Sequence, residues 1–169
     1  MEIKPFKAYR YNADVVGSTG NCIAPPYDVI DADKQESLYT QSAFNIVRVI
    51  QGKRLASDSE QSNQYTRAAD YLNQWIESQA LQQDQQDTIY AYAQDFCLSG
   101  QAVTRLSFIA LARIEAFEKG IVKPHEQILS KPMQDRLNLK RATGARFGLV
   151  FMLYKDEKQV ADAILRKSL

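Results

Sequence analysis

At 169 residues, 45% hydrophobic and 24% charged, the chain has the make-up of one globular domain that can bury roughly two-thirds of its unfolded surface without disulfide or metal staples. A formal net charge of +1 excludes a strong overall field. No apolar run approaches the ~20 residues that span a bilayer, and the opening MEIKPFKAYRY lacks the apolar core of a secretory signal, so a soluble, cytoplasmic protein is predicted.

Residues 1 to 20, with Pro5, Gly17 and Gly20 and little periodicity, read as an extended lead-in and a loop. Asn21 to Ala24 predicts a short strand, which must stop at Pro25-Pro26 because proline removes a donor and biases its neighbour to extended geometry. Tyr27 and Asp28 therefore leave a stiff corner. Asp31 or Asp33 can cap a helix to about Thr40, with Glu36 three residues after Asp33 in a capping-box pattern. Phe44 to Ile50, β-branched and apolar apart from Arg48, reads as a strand.

Asp58 or Ser59 opens the clearest helix, where Tyr65, Ala68, Ala69, Leu72, Trp75, Ile76 and Ala80 recur at three and four residues and line one core face. The following QQDQQD is a polar loop, too brief to separate two domains. TIYAYAQDFC and AVTRLSFIALARIEAF flank Leu98-Ser99-Gly100-Gln101 and predict an antiparallel hairpin. Pro124-His125-Glu126 falls in an extended segment, and Pro132 suits the first position of a helix that reaches about Thr143 before Gly144. Residues 146 to 154, RFGLVFMLY, read as a buried strand, and Asp156 to Ser168 as an amphipathic helix with Val160, Ala161, Ile164 and Leu165 on one side. Several helices interleaved with an antiparallel pair predict an α+β fold over residues 1–169 as a single domain, its sheet antiparallel or mixed with flanking helices.

Chemistry is sparse. Cys22 and Cys97 have no second Cys or His nearby, which predicts two reduced, mostly buried thiols and no metal site. His125, the one histidine, adjoins Glu126, so this pair is where acid–base work would sit, although neighbours on an extended segment point to opposite faces and a plain surface histidine stands equally beside that reading. Residues 131 to 169 hold nine bases against four acids, and Arg136 and Lys140, four apart with Arg141 close by, could reach one anion or simply solvate a helix face. Gly52-Lys53-Arg54 lacks the flanking residues of a phosphate-cradling loop, and no zinc, calcium or nucleophile-elbow motif is present, so no cofactor is called for. The basic stretch from Lys131 to Arg146 carries no interleaved aromatics before Phe147, which argues against nucleic acid.

The segments Ala24-Pro-Pro-Tyr-Asp-Val-Ile30, Asn45-x-Val-Arg48, Tyr90-x-Tyr-x-Gln-x-Phe96, Phe108-Ile-Ala-Leu, Pro124-His-Glu126, Asp135-Arg-Leu137, Arg141-Ala-Thr143 and Phe151-x-Leu-Tyr154 resemble, in order, the prokaryotic family known as domain of unknown function 1015. Members of that family are usually more than twice this long, and their later portion carries an Asp-Gly-His-His-Arg signature similar to that of free-serine kinases. The resemblance therefore implies phosphoryl or phosphoserine chemistry for the longer members, while this chain stops before the signature. It also departs from the family pattern at Ile128, Met133, Gln134 and Arg146.

The resulting expectation is a non-catalytic module that binds a small phosphorylated or carboxylate metabolite, or a protein partner, through Tyr27, Asp28, Arg48, His125, Glu126, Asp135, Arg136 and Arg141. The competing expectation is a serine kinase-like or phosphatase-like enzyme with Glu126 as base and His125 beside it, completed by a second chain. A structural homodimer with a buried apolar face is the third. Membrane and nucleic-acid partners are not expected.

Overall fold

The computed structural model, which describes residues 1–124 and 130–168, divides into two units with very unequal interiors. In chain order the elements are β1 (Ile3–Lys4), β2 (Tyr9–Tyr11), α1 (Ala13–Val16), α2 (Ala32–Gln41), α3 (Val47–Ile50), α4 (Gln64–Glu77), β3 (Leu81–Gln83), β4 (Tyr90–Leu98), β5 (Gln101–Ile109), β6 (Leu111–Ala112), α5 (Ser130–Thr143) and α6 (Val160–Ser168). Helices and small antiparallel sheets make the architecture α+β: β1 pairs with β6, β2 with β3 and β4 with β5.

A helical unit comprises residues 9–83 and 130–149. Its main core is built by the stripe on α4, where Ala68, Leu72 and Trp75 are buried together with Val49, Ala80, Leu81 and Leu139. Tyr11, Phe44 and Tyr71 surround the Trp75 ring at centroid distances of 6.1 to 6.2 Å. The helix starts later than Asp58 or Ser59. Asn63 is its N-cap, accepting from the Tyr65 and Thr66 amides while the Thr66 hydroxyl accepts from the Asn63 amide. Asp58 is instead drawn into a two-pronged ion pair with Arg67, at 2.6 and 3.1 Å. For α2 the cap is Asp31, which accepts from the Lys34 amide at 2.8 Å. At the far end of α5, Gly144 adopts φ 65°, the left-handed geometry that closes a helix without a Cβ penalty.

Two expected strands of this unit are not strands. Asn21 closes a short 3₁₀ turn, and the carbonyls of Asn21 and Ile23 are taken at 2.8 and 2.9 Å by the side-chain amide of Asn45. The β-branched run from Phe44 to Ile50 contains α3, because Asn45 Oδ1 accepts from the Val47 amide and the Ile46 amide donates to Cys22 O, consuming locally the groups a ladder would need. A helical turn also separates residues two apart by about 200°. Val49 thus enters the Trp75 core while Val47 enters a second cluster with Ile30 and Leu38. In a strand the two valines would face the same way.

The hairpin unit comprises residues 1–8, 84–124 and 150–168. Here β4 and β5 pair from Tyr90↔Ile109 to Leu98↔Gln101, leaving a two-residue turn of Ser99 at φ 50° and Gly100 at φ 81°, the geometry that matches strand twist. Cys97, expected to be buried, is exposed on β4, whereas Cys22 is buried. Residues 146–154 form no strand: Phe147 packs on the helical unit's core, and Leu149 to Tyr154 run exposed. The last helix begins at Val160 rather than Asp156, whose carboxylate accepts from the Val160 and Asp162 amides.

Asn45 is fully buried with three hydrogen bonds, so Asn45→Ala orphans two carbonyls and one amide and should cost about 3 kcal/mol of unfolding free energy, readable by denaturant titration of the single tryptophan's fluorescence. The hydrogen bonds from Arg67 hold the Asp58 carboxyl below its ordinary range. Its contribution is therefore complete above about pH 4 and fades as pH falls through the lower folded value, so the stability gap between parent and Arg67→Met should be widest near neutrality and close in acid, as urea midpoints across that range will report.

Candidate functional site

The polar constellation of the helical unit is assembled from one face of α5, the end of α3, the first turn of α4 and the corner after the double proline. Leu139 is buried in the main core, which anchors α5 and carries Asp135 and Arg136, one turn earlier, to the rim. The Arg136 guanidinium donates through Nη1 to the carbonyl of Ile50 at 2.9 Å, a last-turn carbonyl that α3 leaves without a helical partner. Its Nε donates to Asp135 Oδ2 at 2.9 Å, and Nη2 donates to the same oxygen. The Tyr27 ring lies 4.1 Å beneath the guanidinium carbon. Pro25 and Pro26 prepare that stacking, because Pro26 is extended (ψ 142°) and passes the chain into one 3₁₀ turn, Tyr27–Val29.

The other oxygen of Asp135 accepts from Tyr65 Oη at 2.7 Å and from Gln64 Nε2 at 3.4 Å. Gln64 in turn accepts at Oε1 from Arg54 Nε at 3.0 Å, so a single amide links one guanidinium to the carboxylate that orients another. These groups border a hollow of about 250 Å³, completed by Gln35, Gln51 and Gly52. Gly52 is closely approached: an added Cβ would sit 3.2 Å from Arg48 O and 3.4 Å from Gln64 O, so a side chain there would ask the neighbouring backbone to give by a few tenths of an ångström. Among the described lining residues the formal charge is +1, from Arg54 and Arg136 against Asp135.

Of the residues singled out in the sequence, Tyr27, Asp135 and Arg136 come together here. Arg48 points elsewhere, donating to Tyr39 O at 2.8 Å with its guanidinium 4.4 Å from the Tyr39 ring and 5.6 Å from that of Tyr71. Its Nε is buried without a partner among the described residues. Asp28 and Arg141 are exposed and do not border the hollow, and His125 and Glu126 lie outside the described residues. Arg54, Gln64 and Tyr65 were missed as site residues. In the sequence Gly52-Lys53-Arg54 invites comparison only with a phosphate loop, and Tyr65 reads as core, which its ring is while its hydroxyl is not. No group of three or more His, Cys, Asp or Glu among the described residues could hold a metal ion, and none of the described helices is long and apolar enough to cross a membrane.

Tyr65→Phe keeps the ring and deletes one donor to a carboxylate, so it should cost about 1.5 kcal/mol in urea unfolding, with little change in the far-ultraviolet spectrum.

No curated protein and no solved structure matches the chain. The family model described as protein of unknown function (DUF1015) matches residues 3–168, and the chain belongs to that family.

Proposed function

We propose that the helical unit binds a small anionic metabolite, a carboxylate or a phosphate ester, in the hollow bordered by Arg54, Gln64 and Arg136, and holds it without changing it chemically. The observation that carries this reading is a lining of two guanidinium groups against one carboxylate. Asp135 is engaged by Arg136 through one oxygen and by Tyr65 and Gln64 through the other, so its charge is already answered. Arg54 uses Nε on a neutral amide and keeps its remaining donors on an exposed side chain, and Arg136 retains N–H groups beyond those spent on Asp135 and Ile50. Planar forks fixed in this way favour carboxylate and phosphate oxygens.

Isothermal titration with inorganic phosphate, phosphoserine, a nucleotide and, as a ligand without net charge, serine tests the reading. An anion should bind to the parent and bind at least tenfold more weakly to Arg54→Gln and to Arg136→Gln, about 1.4 kcal/mol each. Added salt should weaken it further. Equal heats for the parent and both variants would remove this hollow from consideration.

A further inference from the structure

A ligand held by Arg54 and Arg136 must also satisfy the rest of the hollow's wall, and that wall offers almost no apolar surface. Its aliphatic residues are already packed: Val49 and Leu139 are only 2% and 4% exposed, and Ile50 packs against the cluster of Ile30, Leu38 and Val47. Tyr65 lends its ring to the main core and its hydroxyl to Asp135. An apolar tail on the ligand would find little comparable surface to lie against, so its burial would contribute little affinity.

What the wall does offer is side-chain amide. Gln51 ends α3 with its backbone fully engaged, the N–H donating to Val47 O at 2.9 Å and the carbonyl accepting from Gln35 Nε2 at 2.6 Å. The side chain therefore leaves from a fixed point, half-buried at the hollow, and its own amide has no hydrogen-bond partner among the described residues. Gln35, having given one N–H to Gln51, keeps a second N–H and its side-chain carbonyl. Ile50, the residue before Gln51, gives its carbonyl to Arg136 Nη1 at 2.9 Å, so guanidinium and amides meet on one rim. Amides present both donors and acceptors, and the ligand group that answers both at once is a hydroxyl, which donates once and accepts twice. At about 250 Å³ the hollow falls below the ~300–1,000 Å³ typical of drug-sized ligands, so acid group and hydroxyls must share one short skeleton.

We infer that the anion held here is a small polyol derivative, a hydroxylated carboxylate or phosphate ester, with its acid group against Arg54 and Arg136 and its hydroxyls against Gln51 and Gln35. This rests on the anion-binding reading and adds a choice among anions. A site that hydrogen-bonds a ligand hydroxyl disfavours the analogue without one, because its own polar groups are then left unpaired. Gln51 is the residue that sets this specificity, since Gln35 also holds the chain in place.

Isothermal titration with two matched pairs, glycerol 3-phosphate against propyl phosphate and glycerate against propionate, tests the inference on the parent, Gln51→Leu and Arg54→Gln. In at least one pair the hydroxylated member should bind the parent roughly tenfold more tightly or better. Gln51→Leu removes an amide that no structural hydrogen bond uses, so it should reduce that preference to about threefold or less with an unchanged circular dichroism spectrum. Gln51→Ala decides the matter if the leucine variant unfolds. Equal affinities within both pairs, or a preference that survives loss of the Gln51 amide, would overturn the inference; if both members of a pair still weaken together in Arg54→Gln, the anion reading stands without it. Binding of inorganic phosphate alone has the same meaning, whereas no binding of either pair or of phosphate removes both readings.

Discussion

One buried amide organises the helical unit. Asn45 holds the carbonyls on either side of Cys22 with its nitrogen and starts α3 with its oxygen, so together with the Ile46 amide on Cys22 O it fixes the chain before the double proline to the short helix after α2. Satisfying three groups where water cannot reach is what lets so short a helix persist. Once α3 is a helix, Val47 and Val49 diverge into separate clusters, and Ile50 presents its carbonyl to Arg136. The hollow is thus a remote consequence of an asparagine that does not touch it.

Strong local periodicity was legible in the sequence. The α4 stripe, the Ser99-Gly100 hairpin and the glycine end of α5 each follow from spacing or from one residue's conformational freedom. The run from Phe44 to Ile50 was misread because a short apolar β-branched segment looks alike as strand or buried helix, and the deciding partner, Cys22 O, lies more than twenty residues away. Residues 146–154 failed for a different reason. Their apolar character on both faces announces burial, which Phe147 finds against the helical unit's core while Leu149 to Tyr154 remain exposed.

The site was legible only in part. Tyr27, Asp135 and Arg136 carry obvious aromatic or charged chemistry, and the proline corner marks where Tyr27 must stand. Gln64 and Arg54 carry no local signal, since glutamine and arginine at the start of a helix and in a loop are ordinary on any solvated surface. Their meaning comes from α4 and α5 meeting at Asp135, which pairs residues about seventy positions apart. Average composition likewise concealed that the interior is gathered into one unit.

The amide of Gln64 has a direction. Its oxygen faces a cation and its nitrogen an anion, so a half-turn about the terminal torsion would set NH₂ against the Arg54 guanidinium and oxygen against the Asp135 carboxylate, two repulsions in place of two attractions. Side-chain amides elsewhere choose between near-equal orientations, but this one is poled by its neighbours. A neutral residue is thereby turned into an oriented dipole, lying head to tail between a cation from the loop and an anion from α5.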